Sequence, residues 1–211
     1  KINLEKDVLS EPYRRGKYIL IPTLKNNILL IHLGMSGQIK IQKKFLRLKH
    51  DHLNITVQAQ DNKCYSITYN DPRRFGFIDL LCQKIVDEHF LLKNLGVDAL
   101  SKDLTVNYLK KIFHNRKKCI KDAIIDQKII AGVGNIYASE ILYRANINPH
   151  RSLKSLNESH LKSIIQACKF ILNNAIKVGG TTIQNHLQPD GKLGYFTQKL
   201  KVYGRKQKKC E

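Results

Sequence analysis

"IIAGVGNIYASEILYRANINPH" occupies residues 129–150. Two glycines flank Val133, Asn135 follows, and residues 136–145 read as a helix. Gly132 and Gly134 allow backbone angles that a Cβ forbids and let other groups approach closely. Asn135 reads as the N-cap of a helix that begins at Ile136. N–H groups at the positive end of a helix form an anion site, and a phosphate suits it. The same residues also suit a tight interhelical turn that holds no ligand, so this stretch alone leaves two readings. Its surroundings are basic: Arg116, Lys117, Lys118, Lys121 and Lys128 precede the turn, and Arg144, His150 and Arg151 follow it.

The whole chain shares that bias. Across 211 residues, 37 Lys and Arg face 17 Asp and Glu, for a formal net charge of +20. Such an excess repels itself unless a polyanion relieves it, and nucleic acid is the first candidate. A lysine-rich but merely solvated surface is the bland alternative. No apolar run approaches the roughly 20 residues of a membrane span, so no membrane partner is expected. The five cysteines are widely spaced and form no C-x-x-C pair. That pattern argues for a reducing compartment, the cytoplasm, with most of the cysteines acting as small buried apolar residues. The one methionine is Met35 and residue 1 is lysine, so the chain reads as part of a longer one.

Outward from the turn, the sequence divides by period. Residues 18–21, 28–33, 38–41, 53–58, 65–69 and 77–80 are short β-branched or aromatic runs separated by turn signals, as in a sandwich or barrel. Later, Leu161, Ile164, Ile165, Cys168, Ile171, Leu172, Ala175 and Ile176 recur at helical spacing and end at Gly179 and Gly180. Residues 105–113 and 120–126 also read as helices. The expected fold class is α+β. A β-sandwich domain covers 1–85, a helical domain with the turn covers 86–198, and a truncated terminal segment covers 199–211. Beyond residue 180 the chain reads as loop with room for a hairpin.

The segment "DQKIIAGVGNIYASEILYRANINPHR" resembles the helix–two-turn–helix of bacterial formamidopyrimidine-DNA glycosylases. Further segments resemble that family in the same order: "RRGKYIL" at 14–20, "IHLGMSGQ" at 31–38, "KHDHL" at 49–53, "DPRRFGF" at 71–77 and "NLGVDAL" at 94–100. "GGTTIQNHLQPDGKLGYF" at 179–196 and "VYGRKQKKC" at 202–210 complete the series. The resemblance implies a monomeric enzyme that flips an oxidised purine out of duplex DNA, excises it and nicks the strand at the abasic site. In the family an N-terminal proline amine attacks the sugar, helped by a glutamate. Neither stands at the start of this sequence, so the chain is expected to lack the first chemical step. A non-catalytic DNA-binding relic is the rival reading. A weaker rival is an RNA-binding or ribosomal protein built on the same turn.

The resemblance also assigns residues. Lys17 matches a lysine near the sugar–phosphate that takes part in proton transfer; otherwise it is a solvated strand-edge lysine. Met35, Arg73 and Phe75 match the trio that fills the gap left by the flipped base, where an apolar wedge offsets lost stacking. If they do not, Met35 and Phe75 belong to the core. His32, His50, Arg116, Gly134, Asn135 and Tyr137 match DNA-contacting positions. Thr181, Thr182, Gly194, Tyr195 and Phe196 match the loop that closes over the flipped base. Leu193 and Val97 stand where the family usually has proline. Cys210 matches the first of four zinc cysteines; zinc is expected in the full-length protein and none in this chain, because a closed site needs all four thiolates.

Overall fold

The computed structural model describes residues 4–114, 116–181 and 194–209. They form two compact units, neither of them continuous in sequence. The first gathers Lys1–Tyr13, Tyr18–Lys84 and Val178–Gln198; the second gathers Arg14–Lys17, Ile85–Lys177 and Lys199–Glu211.

The first unit is β-sandwich-like. One sheet has the order β1 (Tyr13–Arg15), β2 (Tyr18–Pro22), β3 (Asn27–His32) and β7 (Phe77–Cys82). The other has the order β4 (Gln38–Gln42), β6 (Cys64–Asn70) and β5 (Asp51–Gln58). β3 pairs antiparallel with β2 and β7, so it is interior to its sheet. Its sequence NILLIH therefore reads as one apolar run rather than an alternation, and Ile28, Leu29, Leu30 and Ile31 are all buried. Truncating Leu30 to Ala would leave a cavity worth about 2–5 kcal/mol. The edge strand β5 carries a register shift between Asp51 and Leu53. Such a bulge re-aims the residue inside it, here His52.

The second unit is helical. It holds α1 (Val106–Phe113), α2 (Ile120–Ile125), α3 (Asn135–Arg144) and α4 (Glu158–Lys177). Thr105 caps α1 by accepting from the Tyr108 N–H at 3.2 Å. Two short parallel strands, β8 (Val97–Asp98) and β9 (Ile130–Ala131), lie ahead of α1 and α3. The α4 stripe buries Leu161, Ile164, Ala167, Cys168, Ile171, Leu172 and Ala175. Ile176 departs from expectation: it is exposed, at the edge of the stripe and in the last turn of α4.

The cysteines also correct the sequence reading. Among the described residues only Cys168 is buried; Cys64 is exposed, and Cys82 and Cys119 are intermediate. Cys64 opens β6 opposite Gln58 at the rim of its sheet, where a small apolar side chain gains no cover. Burial pushes the Cys168 thiol up to about 12, so it is an inert core group. No described helix is long and apolar enough to cross a membrane.

Candidate nucleic-acid interface

In the helical unit the interface is built around the start of α3. The preceding turn is pinned by Gln127, whose Nε2 donates to the carbonyls of Ile125 at 2.7 Å and Val133 at 2.8 Å. Its Oε1 accepts from the Gly132 N–H at 2.9 Å. Gly132 has φ +101°, a conformation that suits glycine.

The cap differs from the sequence expectation. Gly134, extended at φ −112° and ψ 177°, is the N-cap, and Asn135 is already the first helical residue. The helix starts one residue early because Gly134 needs no side-chain bond to leave the helical region. Asn135 is thereby released from capping and is exposed.

Lys17 reaches this helix start. A Cβ at Gly134 would lie 3.4 Å from Lys17 Nζ. The ammonium thus stands beside the positive end of α3, where a cation is disfavoured and an anion would be welcomed by both. Burial lowers the Lys17 pKa below the ordinary lysine value. The side chain still reaches solvent, so the ammonium remains the form that meets an anion.

A fixed backbone delivers Lys17. Arg14 forms a two-pronged pair with Asp98, at 2.6 Å from Nη1 to Oδ2 and 2.8 Å from Nη2 to Oδ1. The same Nη1 donates to the Gly16 carbonyl at 2.7 Å, and the Gly16 N–H donates to Asp98 at 3.1 Å. Partial burial alone would raise the Asp98 carboxyl, but the hydrogen bond and charge of Arg14, with the Leu100 and Gly16 N–H groups, bring it below the usual carboxylate range. This pair explains why the RRGK and NLGVD segments accompany each other.

Arg116 and Tyr137 are half-buried. Further along α3, Glu140 is only 2% exposed. It accepts from the backbone N–H groups of Lys201 at 2.9 Å, Val202 at 3.0 Å and Tyr203 at 2.9 Å, fixing the terminal segment. Sequence reasoning missed Glu140. Its signal was being the one acidic residue in the α3 sequence NIYASEILYR.

In the β-sandwich-like unit, two loops present the other group. Met35 is 69% exposed and Phe75 is 55% exposed, so neither belongs to the core. The Arg73 guanidinium lies 4.7 Å above the Phe75 ring, a cation–π contact that holds both at one tip. The loops meet backbone to backbone, for a Cβ on Gly34 would lie 2.5 Å from the Phe75 carbonyl carbon.

Between them sits Asp71, with 0% exposure. Its Oδ1 accepts from Ser36 Oγ at 2.5 Å, and its Oδ2 accepts from Gly76 N–H at 2.8 Å and Tyr69 O–H at 3.0 Å. Ser36 Oγ in turn accepts from the Arg73 N–H at 3.2 Å. Burial alone would raise the Asp71 carboxyl; the bonds from Ser36, Gly76 and Tyr69 outweigh it and hold the group below its ordinary value. Burial, the Asp71 bond and the Asp71 charge together keep Tyr69 protonated. Sequence reasoning missed Asp71, because nothing in "DPRRFGF" marks it as buried.

His32 and His50 flank this tip. His32 ends β3 with ring centroids 5.0 Å from Tyr18 and 5.8 Å from Phe77, and its Nδ1 accepts from the Gly34 N–H. His50 has φ +71° and gives its carbonyl to the Asp71 N–H at 3.1 Å. Thr181 and Tyr195 form an antiparallel bridge. Gly194 is forced by proximity: a Cβ there would lie 2.5 Å from the Gly180 carbonyl oxygen. Phe196 is buried and anchors the segment, while Tyr195 is exposed.

Thr182 and Cys210 lie outside the described residues. Among the described residues no group of three or more His, Cys, Asp or Glu side chains could hold a metal ion.

A cationic helix start after a two-turn connection defines a helix–two-turn–helix DNA-binding class. Comparison with known proteins narrows it. The model of the formamidopyrimidine-DNA glycosylase N-terminal domain matches residues 1–78, and that of the formamidopyrimidine-DNA glycosylase H2TH domain matches residues 95–186. The formamidopyrimidine-DNA glycosylase of Bartonella quintana (strain Toulouse) is 41% identical over 212 residues, covering 93% of this chain and 73% of the relative. That of Ruthia magnifica is 46% identical over 198 residues, covering 93% and 71%. The crystal structure of the MutM (Fpg) protein from Thermus thermophilus superposes with TM-score 0.84 at 31% identity, covering 95% of this chain and 73% of that one. A complex of Lactococcus lactis Fpg with abasic-site DNA gives TM-score 0.85 at 30% identity, covering 97% and 74%. The chain belongs to the formamidopyrimidine-DNA glycosylase family.

Proposed function

We propose that this chain is the DNA-gripping and lesion-handling body of a glycosylase that removes oxidised purines from duplex DNA and nicks the resulting abasic site. One observation carries the reading: Lys17 Nζ stands at the N-terminus of α3, beside Gly134. A lysine placed there has a reason to exist if a phosphate bridges the two. Complexes of Lactococcus lactis Fpg with DNA containing an abasic site or Fapy-dG support the substrate class.

The residues then divide the work. The N–H groups at Gly134 and Asn135, with Arg116 and Tyr137, hold the backbone and set register without reading bases. Lys17 neutralises the phosphate of the flipped nucleotide. Its lowered pKa makes its proton easier to pass to a neighbouring group during elimination. Met35, Arg73 and Phe75 enter the duplex; the apolar pair restores stacking, and the guanidinium fork bonds the orphaned base. His32 and His50 donate to phosphates beside the tip. Tyr195, on a segment anchored by Phe196, covers the flipped base together with Thr181 and Gly194. The resemblance would assign attack on the sugar to a proline amine, and zinc binding to Cys210 with further cysteines.

Binding tests the reading. Full-length protein is titrated against three duplexes: undamaged, 8-oxoguanine-containing, and carrying a tetrahydrofuran abasic analogue. Preference for the two damaged duplexes supports it. Equal affinity for all three contradicts it and favours a non-specific DNA-binding relic.

A further inference from the structure

We infer that Asp71 is the positioning residue that makes the Met35 loop and the Arg73–Phe75 loop act as one wedge. The inference rests on the proposed function, because it assigns a task to residues which that reading sends into the duplex.

Met35 and Phe75 are both largely solvent-exposed, so packing does not fix them. Inserting side chains must be held in place beforehand, or ordering them costs part of what stacking returns. Within the loops, the Gly37 N–H bonds the Leu33 carbonyl at 2.8 Å and the Arg74 N–H bonds the Asp71 carbonyl at 3.3 Å, which shapes each turn but does not join the two. The carboxylate of Asp71 reaches both, through Ser36 Oγ on one side and Gly76 N–H on the other. Ser36 closes the circuit by accepting from the Arg73 N–H. The Asp71 main chain adds His50, through its N–H, and His52, whose Nε2 lies 2.9 Å from the Asp71 carbonyl.

A carboxylate suits this place best. Oδ1 and Oδ2 both face donors, from Ser36 on one side and from Gly76 and Tyr69 on the other. An asparagine would turn an NH2 group toward either Ser36 or the Gly76–Tyr69 pair. On the Ser36 side the hydroxyl could accept from the NH2 as well as from the Arg73 N–H, but its own proton would lose the Asp71 acceptor in a buried place. On the other side a backbone donor would face a donor. Either way the charge-assisted tie between the loops is weakened.

The test separates wedge insertion from backbone grip. A duplex carries the tetrahydrofuran analogue opposite 2-aminopurine, whose fluorescence reports local unstacking, and binding is followed by anisotropy. In full-length protein, Asp71→Asn is expected to keep affinity within about threefold, because phosphate contacts lie elsewhere. Its 2-aminopurine amplitude is expected to fall to less than about half of the wild-type value. On DNA with a one-nucleotide gap opposite 8-oxoguanine, where no base needs replacing, variant and wild-type excision rates should converge. Full amplitude in Asp71→Asn, or an equal excision defect on gapped and intact duplex, overturns the inference. Ser36→Ala removes one branch only and decides the matter if Asp71→Asn does not fold: it should reduce the amplitude, and an unchanged amplitude overturns the inference. A wild-type protein that binds with no fluorescence change counts instead against the proposed function.

Discussion

The Lys17 ammonium and Gly134 are neighbours, so close that a Cβ on residue 134 would stand 3.4 Å from Lys17 Nζ. That distance is ordinary contact, and the Gly134 backbone at φ −112° suits any residue. Gly134→Ala should therefore leave Lys17 in place and cost about 1 kcal/mol through a poorer N-cap. Gly134→Val should push Lys17 aside. DNA affinity should fall for the valine variant and stay near wild type for the alanine variant, when each is measured below its own unfolding transition. Equal loss in both would show that Lys17 does not depend on the gap.

Lys17 itself has a cleaner signature. Replacing a phosphate-neutralising lysine removes one counterion-release contact. Lys17→Ala should lower the slope of log K against log salt by about one. The measurement is a salt titration on tetrahydrofuran duplex. An unchanged slope would place Lys17 off the phosphate path.

Glu140 holds the Lys201–Tyr203 backbone from inside α3. Glu140→Ala leaves those N–H groups without their acceptor and should cost about 1–3 kcal/mol. Urea unfolding reads the loss, and amide exchange should quicken at 201–203 first. Uniform quickening across the helical unit would mean that the residue supports packing rather than the terminal segment.

Acid stability follows from the paired carboxylates. Asp71 and Asp98 both titrate below their ordinary values in the folded chain. A depressed pKa means that the stabilisation is present above the unfolded value, about 3.9 for aspartate, and is lost as pH falls through the folded value. Unfolding midpoints should hold from pH 7 to about 5 and drop below about 4. Asp98→Asn should be less stable at pH 7 and show a shallower drop in acid. An identical drop in variant and wild type would remove Asp98 from the account.

Much of this was legible in the sequence because it is local. Short β-branched runs gave the main strands, and the spacing from Leu161 to Ala175 gave the α4 stripe. The turn at 129–150 admitted a phosphate site and an ordinary interhelical turn alike. What escaped depends on contacts distant in sequence. β1, β8 and β9 are too short to carry a period. Asp71 becomes a hub only because β6 and the Ser36 turn converge on it. Asn135 looked like the cap because its side chain is a good one, yet an extended glycine ahead of it took the position. Ile176 continued the apolar spacing but falls at the stripe's edge in the last turn of α4.

The most direct test of the central claim is borohydride trapping. Full-length protein is mixed with an 8-oxoguanine duplex, reduced with sodium borohydride and resolved on a denaturing gel. The account predicts a covalent protein–DNA adduct with damaged DNA, absent with undamaged DNA and weakened in Lys17→Ala. Folded protein that binds the damaged duplex yet yields no adduct would contradict it.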